Sequence, residues 1–286
     1  MDEAKPLAGK TALITGASRG FGLAIARRLL AAGAGLILTA RGVVDLWELI
    51  SDDPAPTPQI RGISVNLSRP GDVDALHDFC LDSGVFPDIL INNAAIQGPI
   101  GPLSTVDFDA WRTVMEVNFF APARLCQQFI EPMRKKGWGK IINISGGGAT
   151  SPRPDFSAYA SSKAALVRLS ETLAVEAAGT GIDINCVAPG AMNTRMLDEL
   201  LARGPSGATR EYEKALKQKE SGGASPDKAA ELVLFLASPA SDGITGRLFS
   251  AVWDPWQDLP ARREELAKTD IYTLRRIVPE DRGRKW

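Results

Sequence analysis

Tyr159 and Lys163 stand one helical turn apart in Tyr159-Ala160-Ser161-Ser162-Lys163. Positions i and i+4 of a helix share a face, so this spacing sets an ammonium beside a phenol. A neighbouring cation favours phenolate and lowers a pKa that is ordinarily about 10; such a tyrosine exchanges a proton with a carbonyl or alcohol near neutral pH. Taken alone, the pattern equally describes a surface helix pair. A second constellation, Thr15-Gly16-Ala17-Ser18-Arg19-Gly20-Phe21-Gly22, follows an apolar run and precedes a helical pattern. Gly16 permits a tight bend, Gly20 lets the backbone approach a pyrophosphate, and Gly22 allows close packing of helix on strand. The helix N-terminus then offers free N–H groups to phosphates. Other chemistries lack their residues. The single histidine, His77, lies in the charged stretch 72–82, so neither a His-based zinc site nor a Ser-His-Asp triad is expected. Cys80, Cys126 and Cys186 are odd in number and widely spaced, and read as buried free thiols.

The elements that must hold these groups alternate along the chain. Apolar runs at 11–15, 36–40, 63–65, 89–92, 140–144 and 183–187 are separated by helical patterns at 21–32, 73–83, 107–136, 158–178 and 227–237. Runs apolar on both faces, each followed by a helix, predict an α/β fold with a parallel sheet covered on both sides. Residues 52–58, with three prolines, read as a rigid surface loop, and the long polar stretch 191–225 as a binding loop or lid. Past Asp254 runs a charged tail without strand periodicity, and three of the six tryptophans lie at 253 or beyond. With 33 basic and 34 acidic residues the chain is formally −1, which argues against nucleic-acid or membrane-surface binding. Its apolar runs fall far short of the ~20 residues of a membrane span. No signal-peptide pattern opens the sequence, so the expectation is a cytoplasmic protein acting on a small molecule.

Together these motifs resemble the short-chain dehydrogenase/reductase family, single-domain branch, over about residues 8–254. Thr15–Gly22 is similar to its TGxxxGxG motif, Asn92-Asn93-Ala94-Ala95 to its NNAG turn, and Tyr159 with Lys163 to its YxxxK pair. Asn118 falls where the family keeps a catalytic asparagine, and Pro189-Gly190 followed by Thr194 resembles its nicotinamide-side motif. The resemblance implies a doubly wound, Rossmann-like sheet of seven strands in a single domain (1–254) with a C-terminal extension (255–286). It also implies NAD(P)-linked oxidation or reduction in a dimer or tetramer. Tyr159 would give or take the proton, Lys163 would lower its pKa and bind the nicotinamide ribose, and Asn118 would hold a water in the proton relay. Gly16, Ser18, Arg19, Gly20, Phe21, Gly22, Asn93, Ala94, Ala95, Pro189, Gly190 and Thr194 would line the cofactor, with Asn66 and Leu67 beside the adenine.

Cofactor choice follows from charge. NAD enzymes of this fold place an acid after the second strand, whereas this chain has Ala40-Arg41 there and Arg19 in the glycine loop. Two guanidiniums near the adenosine ribose suit a 2′-phosphate, so NADP(H) is expected. Two departures from the family stand out. Its catalytic serine, thirteen residues before the tyrosine, is replaced by Gly146 in Asn143-Ile144-Ser145-Gly146-Gly147-Gly148. Ser145, one step away along a strand, points to the opposite face unless the glycines bend it inward. If it faces away and the φ of residue 146 is negative, Gly146→Ser should raise turnover. The tail is the second departure, read either as an oligomer-contact arm or as a cover over an active site. The loss of the serine leaves a degenerate nucleotide-binding sensor as the alternative to an enzyme, and a nucleotide-sugar epimerase ranks behind both.

Overall fold

The computed structural model describes residues 5–42, 60–202, 204 and 209–286. The proline-containing segment 52–58 lies outside the described residues. Seven strands form one parallel sheet: β1 (Thr11–Thr15), β2 (Gly35–Ala40), β3 (Ile60–Ser64), β4 (Ile89–Asn92), β5 (Gly139–Ile144), β6 (Ile182–Ala188) and β7 (Leu248–Ser250). Their order is β3-β2-β1-β4-β5-β6-β7, the doubly wound arrangement expected. Every residue of β4 and β5 is buried, as strands covered on both faces must be, whereas the edge strand β3 is half-exposed. That strand also begins earlier than the apolar run suggests, because Ile60 to Ser64 pair in register with Leu36 to Ala40.

Helices cover both faces. On one side α1 (Gly20–Ala31) and α8 (Pro226–Ala237) bury Ile25, Leu29, Leu232 and Leu236 against Ile14, Leu38 and Ile91. On the other, α2 (Pro70–Ser83), α4 (Ala121–Lys136) and α5 (Ser157–Glu176) enclose Leu13, Leu90, Ile141 and Phe129. The long helical pattern expected over 107–136 is divided. Asp107 caps α3 (Phe108–Met115) through its Oδ1, which accepts from the Ala110 N–H at 2.9 Å. A π-helical turn, Glu116–Phe120, then joins α3 to α4 and buries Asn118 completely.

The connection expected to be a loop at 191–225 contains two helices, α6 (Arg195–Ala202) and α7 (Thr209–Ser221). They form because Leu197, Leu200 and Ala215 bury themselves against Phe156 and Tyr159. The ends of this flap are joined by the Ala224 N–H, which donates to the Ala191 carbonyl at 2.8 Å. The tail holds a 3₁₀ segment (Trp256–Arg262), α9 (Arg263–Lys268) and a 3₁₀ turn (Pro279–Arg282). Its Trp256, Leu259 and Leu266 enter the core beside α8. Among the described residues no helix is long and apolar enough to cross a membrane.

Candidate active site

The strand order reverses between β1 and β4, and a cavity of about 1630 Å³ opens above their C-terminal ends. The glycine loop lines one end. Gly16 has φ +67°, and a Cβ on Gly22 would stand 2.2 Å from the Gly16 carbonyl oxygen and 2.5 Å from Asn93 Nδ2. Loop and helix therefore touch through backbone alone. Asn93 holds the loop from the side: its Nδ2 donates to the Thr15 carbonyl at 2.9 Å, and the Asn93 and Ala94 N–H groups donate to Thr15 Oγ1 at 3.0 Å. The first turn of α1 has no acidic residue and no side-chain cap, so its N–H groups and partial positive charge face the cavity. Arg19 and Arg41 are exposed on the same wall, with Ser18, Phe21, Asn66 and Leu67 around them. Asn66 Oδ1 accepts from the Ser68 N–H and hydroxyl at 3.2 and 2.9 Å, which directs its amide nitrogen away from that turn. A cradle that side chains would fill, an uncapped helix start and two cations fit the phosphates of a dinucleotide. Ala95, Pro189, Gly190 and Thr194 line the cavity further along. Thr194 caps α6, its carbonyl accepting from Leu197 at 2.8 Å.

The proton-handling residues lie at the other end. Asn118 is fixed on both atoms of its amide: Oδ1 accepts from the Ile96 N–H at 2.9 Å, while Nδ2 donates to the Ile96 carbonyl at 2.9 Å and to Ser162 Oγ at 3.1 Å. Ser162 in turn donates to the Tyr159 carbonyl at 2.8 Å, so the π turn and α5 are tied together. Beneath them Asn92 Nδ2 donates to Asn143 Oδ1 and Asn143 Nδ2 to Ser170 Oγ, both at 2.8 Å, joining β4, β5 and α5. Lys163 Nζ donates to the Ile144 carbonyl at 2.7 Å and lies 5.7 Å from the Tyr159 ring centroid.

Burial weighs on both members of the ammonium–phenol pair. Burial pulls the Lys163 pKa down to about 8 and pushes that of Tyr159 above the ordinary phenol value. The guanidinium of Arg153 opposes burial at Tyr159, and its carbon and the Lys163 Nζ each lie 5.7 Å from the Tyr159 ring centroid. Gly146 stands next to the phenol: a Cβ there would lie 2.4 Å from the Tyr159 oxygen. The Ser145 hydroxyl is buried and makes no hydrogen bond, so it is not bonded to that phenol.

Sequence reasoning passed over one charged pair that the fold brings to this cavity, whereas the tail was expected either there or at an oligomer contact. Arg153 and Glu211 meet in the cavity from positions 58 apart in the chain, and no local pattern announces such a pair. Trp253, Asp254, Tyr272 and Thr273 line the cavity from the end of β7 and the tail. Tyr272 adopts φ +63°, its carbonyl accepts from the Leu248 N–H at 2.8 Å, and its ring packs edge-on against Phe249 at 5.2 Å. His77 lies elsewhere, packed against Phe86 and Phe129.

Residues 10–203 match the short chain dehydrogenase family description. The chain belongs to that family. This short-chain dehydrogenase is 32% identical over 250 residues to dehydrogenase/reductase SDR family member 4 of Pongo abelii, covering 86% of this chain and 87% of the relative. It is 31% identical over 245 residues to a D-beta-hydroxybutyrate dehydrogenase of Rhizobium meliloti, covering 83% and 95%. A solved structure from Beutenbergia cavernae, provisionally assigned as an NAD(P)-dependent gluconate 5-dehydrogenase and holding NADP at low occupancy, superposes with a TM-score of 0.74. That protein is 29% identical, and the match covers 87% of this chain and 97% of its own. The short-chain dehydrogenase is thus an oxidoreductase whose family uses a nicotinamide cofactor on small-molecule substrates.

Proposed function

We propose that this short-chain dehydrogenase transfers a hydride between NADP(H) and a carbonyl or secondary-alcohol substrate, with Tyr159 as the acid/base. The observation that carries the reading is the shared cavity: phosphate cradle, two arginines and Asn118, Tyr159 and Lys163 all open onto it or brace it. The nicotinamide, when bound, supplies or accepts the hydride. The chain's own residues place the reacting carbon and manage the proton. In reduction the Tyr159 phenol donates its proton to the developing alkoxide, and in oxidation the phenolate takes it back. Lys163 donates hydrogen bonds to the ribose from beside Ile144, and Asn118, held by Ile96 and Ser162, orients a water that relays protons. Arg19 and Arg41 hold the 2′-phosphate.

Supporting a reducing, cytoplasmic setting are three buried free thiols. Exposed Phe108, Phe120 and Val175 on the α3, α4 and α5 side favour a dimer or tetramer formed through that side. The test is direct. NADPH should bind more tightly than NADH, Arg41→Asp should reverse that order, and equal affinities in the unmodified protein would sink the NADP assignment. Tyr159→Phe should keep cofactor binding while losing most turnover. The glycine at 146 favours one competitor, a sensor that binds NADPH without using it. Single-turnover oxidation of NADPH across a panel of ketones, sugars and acyl thioesters separates the two.

A further inference from the structure

With glycine at 146 and the Ser145 hydroxyl unbonded, Tyr159 lacks a hydroxyl partner from the β5–α5 loop. The same loop supplies a different neighbour. The Arg153 guanidinium carbon lies 3.8 Å from the Phe156 ring centroid and 5.7 Å from that of Tyr159. Arg153 Nε and Nη2 both reach Glu211 Oε2 at 3.1 Å, and Glu211 Oε1 accepts from Lys214 Nζ at 2.9 Å. Phe156 is wholly buried, and the Arg153 and Glu211 side chains are only 22% and 21% exposed. A stack on one side and a forked ion pair on the other leave the guanidinium little freedom.

We propose that Arg153, clamped to the flap helix α7 by Glu211, is a positioning residue that adds a second cation, beside Lys163, to favour the phenolate form of Tyr159. This rests on the reading of Tyr159 as acid/base. Glu211 tempers the effect, because its carboxylate partly neutralises the guanidinium.

Several other charges face Tyr159. Lys163 of α5 donates to the Ile144 carbonyl, a neutral acceptor that leaves its charge acting on the phenol. Asp198 and Glu199 of α6 line the cavity but are paired with Lys219 at 3.0 Å and Arg195 at 2.9 Å. On α7 Lys214 is paired with Glu211, and after β7 Asp254 accepts from the Ser250 N–H at 2.6 Å. The Arg153 charge also opposes burial at the phenol.

Removing either member of the clamp would free the flap, but only an electrostatic role gives the two removals opposite signs at Tyr159. Loss of the guanidinium disfavours phenolate, whereas loss of the carboxylate favours it. The measurement is tyrosinate absorbance after stopped-flow pH jumps, which outrun alkaline unfolding. Subtracting the Tyr159→Phe protein removes the two other tyrosines, Tyr212 and Tyr272. Arg153→Met should move the Tyr159 midpoint alkaline by about one pH unit, Glu211→Gln should move it acid, and Arg153→Lys should keep most of the native value. An unmoved midpoint in Arg153→Met would overturn the proposal. So would shifts of the same sign in Arg153→Met and Glu211→Gln, which would leave the pair a mechanical clasp. Should Arg153→Met not fold, Arg153→Gln, which also removes the charge but keeps a polar side chain, gives the same discrimination against Glu211→Gln. The underlying reading fails separately: if Tyr159→Phe turns over carbonyls with NADPH at a near-native rate, Tyr159 is not the acid/base, whatever its titration shows.

Discussion

Gly146 shows how one missing side chain reshapes a site. Its φ lies outside the left-handed range, so the backbone accepts any residue. Space is the obstacle, because a Cβ would stand 2.4 Å from the Tyr159 oxygen, 3.2 Å from Cζ and 3.3 Å from Cε1. The sequence-based expectation that Gly146→Ser adds turnover considers conformation and ignores this contact. Gly146→Ser and Gly146→Ala should both push the phenol out of place and reduce kcat by about 10- to 100-fold, the scale of an ångström-level misplacement. Steady-state rates of the two variants decide the matter. A serine variant faster than both the alanine variant and the native protein would mean that the regained hydroxyl outweighs the displaced ring.

Among the elements, the tail differs most from an appended arm. It is latched to its own domain by charged side chains that bind backbone. Arg247 donates from Nη1 to the Ile271 carbonyl at 2.9 Å and from Nη2 to the Leu266 carbonyl. The Leu274 N–H donates to Glu171 Oε1 at 2.6 Å, while Arg168 binds the Leu274 carbonyl. These bonds hold Tyr272 and Thr273 at the cavity wall. Hydrogen bonds to a charged group contribute about 1.5–3 kcal/mol, so Arg247→Ala should raise the open population of the tail roughly 10- to 100-fold. Hydrogen exchange should then accelerate at the Leu248 and Leu274 amides and stay unchanged in β1. Equal protection at Leu248 and Leu274 in both proteins would show that the apolar anchors Trp256, Leu259 and Leu266 suffice to hold the tail.

At the scale of the whole molecule, the doubly wound sheet buries all three cysteines. Burial pushes the thiols up, Cys80 to about 11 and Cys126 and Cys186 to about 12. With thiolate scarce and access closed, an alkylating reagent at pH 8 should leave the native protein unmodified and label three sites once denaturant is added, as mass spectrometry would count. Rapid labelling of Cys126 or Cys186 in the native protein would mean that the layer beneath the active site opens far more readily than its packing implies.

The sequence by itself determined the fold and much of the candidate site, because those features are local or strictly ordered along the chain. Alternating apolar runs specify buried parallel strands, Gly16, Gly20 and Gly22 specify a strand-to-helix turn, and Tyr159 and Lys163 share a helix face by spacing alone. Only the tertiary structure brought a second cation, Arg153, beside the phenol. Arg153 and Glu211 are remote in the chain, and their meeting depends on α7 folding back over the β5–α5 loop. Hydrophobic burial of Leu197, Leu200 and Ala215 drives that return, in a segment whose composition reads as loop. The π turn at Asn118 and the glycine contact at 146 likewise arise from packing between separate elements. Electrostatic influence follows distance and burial in three dimensions, and neither is written in the spacing of residues along the chain.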